Sequence, residues 1–322
     1  MNTSRIILRA AIVAALAAAP AIEAFAQATA AAKPAAAKPA AAQRTFASPE
    51  DASTALIEAV RAKNVDGLLA VVGPQSSSWI FTGDKVADAN DWAKFAAAYE
   101  KKHSLRKDGD AKAILEVGDD GWPFPAPLVK KGSTWSFDAN AGRDEVVNRR
   151  VGRNELDAIQ TLLAAVDAQR EFAAGDLDGN GFADYARRFI SSPGKKDGLY
   201  WPDEAGKPSS PLGPMFAAAA KEGYGKQPKG EKPGPYHGYH YKLLTSQGKD
   251  APGGAYDYMV GGKLLGGFGI VAWPATYRVS GVTTFVVNHE GVVYEKDLGP
   301  QTASMASAMT RFNPDATWRK AE

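Results

Sequence analysis

The chain has 322 residues, with 38 Lys and Arg against 36 Asp and Glu and no cysteine. Charge this evenly balanced, with no basic stripe, argues against a nucleic-acid partner, and the missing thiols exclude a disulfide framework and any Cys-ligated zinc or iron–sulfur centre. The length exceeds one typical domain of roughly 100–200 residues, so two domains are expected.

Arg5 and Arg9 lead into a run from 10 to 19 made only of Ala, Ile, Val and Leu. Pro20 stops the run, and Ala24-Phe25-Ala26 supplies a small-x-small cleavage signal. Residues 1–26 therefore read as a secretory signal peptide, with a mature start near Gln27. A membrane span needs roughly 20 apolar residues, which this run lacks, and no later segment has an apolar stretch of that size. The expectation is a periplasmic or secreted protein with no transmembrane span in the mature chain. Residues 27–44 collapse to Ala, Lys, Pro, Thr, Gln and a closing Arg, a composition that cannot bury a core and reads as a disordered linker.

Ser48-Pro49-Glu50-Asp51 has the order a helix start prefers: capping Ser, first-turn Pro, early acids. Leu56, Ile57 and Val60 continue at helical spacing. A second helix is predicted over 65–72, broken by Gly73-Pro74, and a third over about 91–103 with Trp92, Phe95, Ala96 and Tyr99 on one face. Strand-like stretches follow at 113–117, 128–130 and 133–137. Helices followed by antiparallel strands predict an α+β domain over 45–142. The helical opening from Ala55 to Leu68 and the strand Gly132-Ser133-Thr134-Trp135-Ser136-Phe137-Asp138 resemble the cone-shaped nuclear-transport-factor-2-like domains. That resemblance implies a pocket between a curved sheet and the helices. No acid–base dyad is visible for it; Asp119, Asp120 and His103 are the candidates if the pocket is catalytic.

A long linking helix is predicted from Gly152-Arg153-Asn154-Glu155, with Asn154 as cap and Ile159, Leu162, Leu163, Val166 and Phe172 as a core-facing stripe, ending at Gly175. Strands are predicted over 239–245, 256–260, 268–273, 283–288 and 292–295. One helix followed by antiparallel strands makes 143–322 a second α+β unit. Gly238-Tyr239-His240-Tyr241, the Ala272-Trp273-Pro274 turn and the stretch from Gly281 to Val292 resemble the globular part of type IV pilins and pseudopilins. No prepilin cleavage motif and no apolar helix half precede Asn154, so assembly through a hydrophobic stalk is not expected.

Asp176-Leu177-Asp178-Gly179-Asn180-Gly181-Phe182-Ala183-Asp184 carries the sharpest chemical signal. A hard cation such as calcium takes six to eight oxygens, and alternate oxygen side chains around a tight Gly turn deliver them. Asp176, Asp178, Asn180 and Asp184 fall at loop positions one, three, five and nine, with the Phe182 carbonyl at seven and Gly181 at six. Position twelve, where an EF-hand carries Glu, is Arg187, so the nine-residue form of the loop is the closer match. The competing reading is a solvated turn held by Asx hydrogen bonds. His237 and His240, three apart where the chain enters a predicted strand, would lie on opposite faces if that strand is regular, which argues against shared zinc ligation. Enzyme signatures such as a Walker loop, a nucleophile elbow or His-Glu-x-x-His are absent from the sequence. Trp122, Phe124 and Trp201 sit in loops, either as stacking platforms for a glycan or peptide or as core anchors.

Across the mature chain, Gly121-Trp122-Pro123-Phe124-Pro125, the stretch 149–156, the stretch 166–171, the stretch 193–202, Pro235-Tyr236-His237-Gly238-Tyr239 and Lys296-Asp297-Leu298-Gly299-Pro300 are similar to the uncharacterised secreted bacterial proteins grouped as domain of unknown function 2950. That resemblance implies export and assigns no activity. The combined expectation is an exported, non-catalytic binding or envelope-assembly protein with a structural calcium site, its partner an envelope component or small ligand. The alternative is an exported hydrolase or isomerase using the first domain's pocket. N-terminal sequencing of the exported protein should read from within a few residues of Gln27; a chain that still begins at Met1 would overturn the export assignment.

Overall fold

The computed structural model describes residues 42–206, 209–225 and 234–321. The expected signal peptide and the expected linker up to residue 41 lie outside the described residues. Helix α1 (Pro49–Arg61) starts where the sequence places it, because Ser48 accepts the Asp51 N–H at 3.0 Å. Helix α2 (Val65–Val72) is capped by Asn64 and stops at Gly73, whose φ of +115° a side chain would strain. A short α3 (Ser77–Ile80) follows. Helix α4 spans Lys85–Lys101, starting six residues before the expected position. The reason is Asp84, which accepts the Val86 and Ala87 N–H groups and so caps the helix there.

An antiparallel sheet comes next: β1 (His103–Lys107), β2 (Lys112–Val117), β3 (Trp122–Pro123), β4 (Leu128–Lys131) and β5 (Thr134–Phe137), ordered β1-β2-β4-β5 with β3 on β2. Strand β1 falls partly within the predicted third helix; it is a largely exposed edge without the alternation that marks a strand. Phe46 pairs with Trp135 at the opposite edge. The core between helices and sheet runs from Phe46 to Phe137, with Val146 and Val147 packed against it.

Helix α5 (Arg143–Gly175) is 33 residues long and starts well before Asn154. Asn154 is not a cap: it is buried inside the helix and donates to the Ser280 carbonyl at 2.9 Å. A tertiary partner has replaced the capping role its residue type favours. The helix ends at Gly175 as expected, with Asp176 in the left-handed region.

After α6 (Gly213–Glu222), the strands are β6 (Tyr239–Leu244), β7 (Ser246–Gln247), β8 (Tyr256–Asp257), β9 (Met259–Val260), β10 (Lys263–Leu264), β11 (Gly269–Pro274), β12 (Thr283–Asn288), β13 (Tyr294–Asp297), β14 (Arg311–Phe312) and β15 (Arg319–Lys320), with α7 (Thr302–Ala308) before β14. The main sheet is antiparallel, ordered β15-β13-β12-β11-β6. Ile270, Ala272, Phe285 and Val287 face a core with Ala158, Leu162 and Val166 of α5. Val271, Trp273 and Val286 face a second core with Ala306 of α7 and Phe312. Burial on both faces explains why β11 reads as a continuous apolar run. The fold is α+β, built among the described residues from seven α-helices and mainly antiparallel sheets, with β14 parallel to β7. None of those helices is long and apolar enough to cross a membrane.

His237 is not in a strand. His237 and Gly238, with φ of +50° and +75°, are the central pair of a two-residue turn closed by reciprocal hydrogen bonds between Tyr236 and Tyr239. Gly238 is required there, since a Cβ would lie 2.6 Å from the Asn154 amide nitrogen. This turn is tied to α4 through Asp84. The same carboxylate that caps α4 accepts the Gly238 N–H at 3.1 Å and the Tyr224 hydroxyl at 2.9 Å. Asp84 is 1% exposed, and four hydrogen bonds meet its two oxygens in place of a counter-charge. Burial first, and then the Asp84 carboxylate, pushes the Tyr224 phenol well above its ordinary pKa. Loss of a cap and of two buried charged hydrogen bonds should make Asp84→Ala cost about 2–4 kcal/mol in urea unfolding, with Tyr224→Phe costing about 1 kcal/mol. The two should couple by at least about 0.5 kcal/mol in a double-mutant cycle; strictly additive effects would show that Asp84 does not link these segments.

Candidate functional site

Helix α4 buries only one of its 17 side chains fully, Tyr99. Its inward residues alternate wide aromatics, Trp92 and Phe95, with small Ala96 and Ala98, so the helix cannot close against the sheet along its whole length. A half-open cavity of about 450 Å³ remains beneath it. This lies within the range, roughly 300–1,000 Å³, that holds small ligands. Its floor is Leu56 and Val60 of α1, Leu68 of α2, Trp79 and Ile80 of α3, and Val117 of β2. The mouth is formed by Trp122-Pro123-Phe124-Pro125 on one side and by Arg149, Arg150 and Arg153 of α5 on the other. Phe124 packs on Phe95 at 5.5 Å and on Phe137 at 5.6 Å between ring centres, and Trp92 meets Phe81 edge-on at 5.8 Å. On the other flank of α4, a groove of about 560 Å³ runs between Val65, Phe81 and Ala93.

The charges in the cavity lie along α4 and α5. Arg150 donates to the Trp79 carbonyl at 2.6 Å, and burial lowers its pKa against the opposing pull of Asp91 and Asp88. Arg153 pairs with Asp91 at 3.4 Å. Asp88 accepts the Thr82 hydroxyl at 2.7 Å and the Thr82 N–H at 3.1 Å; burial nonetheless holds its carboxyl above the ordinary value.

The sequence-derived acid–base candidates lie elsewhere. Asp119 and Asp120 are exposed in the turn after β2, where Lys101 pairs with Asp119 and lowers its pKa. His103 opens β1 with its ring stacked on Tyr99 at 3.9 Å. None of the three lines the cavity. Of the loop aromatics, Trp201 is 5% exposed and anchors a core with Phe172 and Leu199, whereas Trp122 is 40% exposed at the cavity mouth.

His237 is held from two helices. Its Nδ1 lies 3.0 Å from Asp157 Oδ2 on α5 and its Nε2 lies 2.9 Å from Glu222 Oε2 on α6. Tyr236 packs beside it at 4.2 Å, its phenol pushed up to about 12 by burial first and then by Glu222 and Asp157. His240 is separate from this cluster, packed near Trp273 on β6, where burial lowers its pKa.

The acidic loop follows α5 directly. Asp176 accepts the N–H groups of Asn180 at 2.9 Å and Gly181 at 3.0 Å, which are loop positions five and six. Asp178 and Asp184 approach the Asn180 amide nitrogen at 2.7 and 2.8 Å, so carboxylates three and nine converge on one point. Phe182 is half exposed, with the Lys263 ammonium over its ring at 4.7 Å. Arg187, at position twelve, turns away to the Gly262 carbonyl. Gln169 of α5 holds the segment after the loop by a reciprocal pair of hydrogen bonds with the Ala186 backbone. The donor set is of the kind a hard cation takes. As arranged, Asx hydrogen bonds satisfy the loop, and no three acidic or His side chains among the described residues gather closely enough to hold a metal ion.

A family model described as Protein of unknown function (DUF2950) matches residues 43–321. The chain belongs to that family. No curated protein and no solved structure matches the chain. In this DUF2950 protein, two of the stretches that carry the family resemblance, 121–125 and 149–156, both contribute residues to the cavity lining. A third, 235–239, forms the turn that carries His237.

Proposed function

We propose that this DUF2950 protein is an exported, non-catalytic binding protein that takes a small ligand in the cavity beneath α4. The observation that carries the reading is the cavity itself: a largely apolar, aromatic-walled space of about 450 Å³ whose charged lining residues come from α4 and α5. A pocket of that size with few, localised polar groups is the ordinary form of a small-molecule site. The two carboxylates that line the space, Asp88 and Asp91, are engaged by Thr82 and by Arg153. Export rests on the features of residues 1–26. Filling the cavity tests the binding reading. Ala98→Phe should reduce binding of an apolar fluorescent probe at least tenfold while shifting Tm by only a few degrees; unchanged probe binding would remove the cavity as the site.

The acidic loop is proposed as a structural calcium site, held by Asp176, Asp178, Asn180, Asp184 and the Phe182 carbonyl. Support comes from the order of the donors and from the convergence of Asp178 and Asp184 on one point. The ion's contribution there is a fixed positive charge that relieves repulsion between the carboxylates. Extracellular calcium-binding modules hold the ion with dissociation constants of about 0.1–1 mM. At tenfold excess, binding to the native state alone stabilises by about 1.4 kcal/mol, or about 2–4 °C in Tm. Chelation should therefore lower Tm by that amount, and Asp178→Ala should abolish the difference. A melt indifferent to calcium in the wild type would show the loop to be an Asx turn and nothing more.

A further inference from the structure

The walls of the α4 cavity are chemically divided, and the division specifies a ligand. The apolar part is ring-rich, with Trp79 and Phe95 lining the space together with Leu56, Leu68 and Val117, and Phe124 packed on Phe95. Flat aromatic faces and edges favour a body that itself carries rings. Four of the six charged residues lining the cavity are basic: Lys94 of α4 and Arg149, Arg150 and Arg153 of α5. The two acids, Asp88 and Asp91, are engaged by Thr82 and by Arg153. Arg150 is the informative group. It is half-buried and gives one hydrogen bond to a backbone carbonyl, yet among the described residues no carboxylate comes within ion-pair distance of it. A desolvated guanidinium with N–H donors to spare is costly unless an anion completes it, and its planar fork matches a carboxylate or sulfonate.

We infer that the ligand is a small amphipathic acid, an apolar ring-bearing body seated on the cavity floor with one anionic oxygen group at the Arg150 edge. This rests on the cavity being the binding site and adds the class of ligand. A cation is repelled by the basic lining, and a neutral body leaves Arg150 without a counter-charge. A cavity of about 450 Å³ has room for one small molecule, so the acid is proposed to be taken free from solution rather than as part of a membrane.

The test compares two probes that share an aromatic body, using the full mature chain: 1-anilinonaphthalene-8-sulfonate, which is anionic, and N-phenyl-1-naphthylamine, which is neutral. The anionic probe should bind at least tenfold more tightly, and added salt should narrow the gap. Arg150→Gln should weaken the anionic probe about tenfold and leave the neutral one within twofold. Should Arg150→Gln unfold the protein by freeing the Trp79 carbonyl, Arg153→Gln, at the exposed side of the mouth, should still reduce the preference for the anion. Equal affinity for both probes, displaced together by Ala98→Phe, would overturn the acid while leaving the binding site in place. Binding of neither probe, or binding that Ala98→Phe does not touch, would overturn the site as well. Association with phosphatidylglycerol vesicles that exceeds and outcompetes the free anionic probe would overturn uptake from solution.

Discussion

Helix α5 is the constraint on which the rest of the molecule depends. At 1.5 Å per residue its 33 residues extend about 50 Å, and its apolar residues enter three separate cores. Val146 and Val147 pack on the first, Ala158, Leu162, Ala165 and Val166 on the second, and Ala168 and Phe172 on the third. A one-residue slip would turn every side chain by about 100°. It would remove Leu162 from the sheet, Arg150 from the cavity and Phe172 from Trp201 together. No disulfide backs this arrangement up, so the register of one helix carries what covalent links carry in many exported proteins.

The polar positions of α5 serve the same end by a different route. Asn154 donates to the Ser280 carbonyl, Glu155 accepts the N–H groups of Val282 and Thr283 at 2.9 Å each, Gln169 pairs with the Ala186 backbone, and Arg170 reaches the carbonyls of His289 and Glu290. Apart from the Thr283 N–H at the start of β12, each bond satisfies a backbone group in a turn or irregular segment. A C-terminal region this rich in loops can be ordered because one rigid rod supplies partners at measured intervals. The turn at His237, gripped by Asp157 of α5 and Glu222 of α6, belongs to the same scheme and is fastened to α4 through Asp84.

The cavity follows from what α4 lacks. Its cap is strong and its C-terminal end is locked by Tyr99 bonded to Ser53 at 3.0 Å, but between these points small Ala side chains leave space that neighbouring aromatics do not fill. A helix fixed at both ends cannot collapse into that space, which is why a cavity persists instead of being squeezed out by packing.

Much of the secondary structure was legible from the residues alone because its signals are local. Ser48-Pro49 starts α1, Gly73 ends α2, Gly175 ends α5, and the apolar runs of β11 and β12 declare strands buried on both faces. The α+β class and the family were equally within reach, since both rest on element order and on continuous motifs. The signal failed where tertiary partners override local preference. The charged stretch 143–153 shows no apolar stripe, yet it is helical because Val146, Val147 and Arg150 each find a partner in the first core. Asn154 looks like a cap until Ser280, 126 residues away, claims it, and short α7, rich in Ala and Ser, has no periodicity to read. By itself the sequence determined the order of the main elements and the acidic loop. Only the tertiary structure decided that residues from α1, α2, α3, α4, β2 and α5 enclose one space with a half-buried arginine at its edge. A cavity is a distance between side chains far apart in the chain, and no local pattern encodes it.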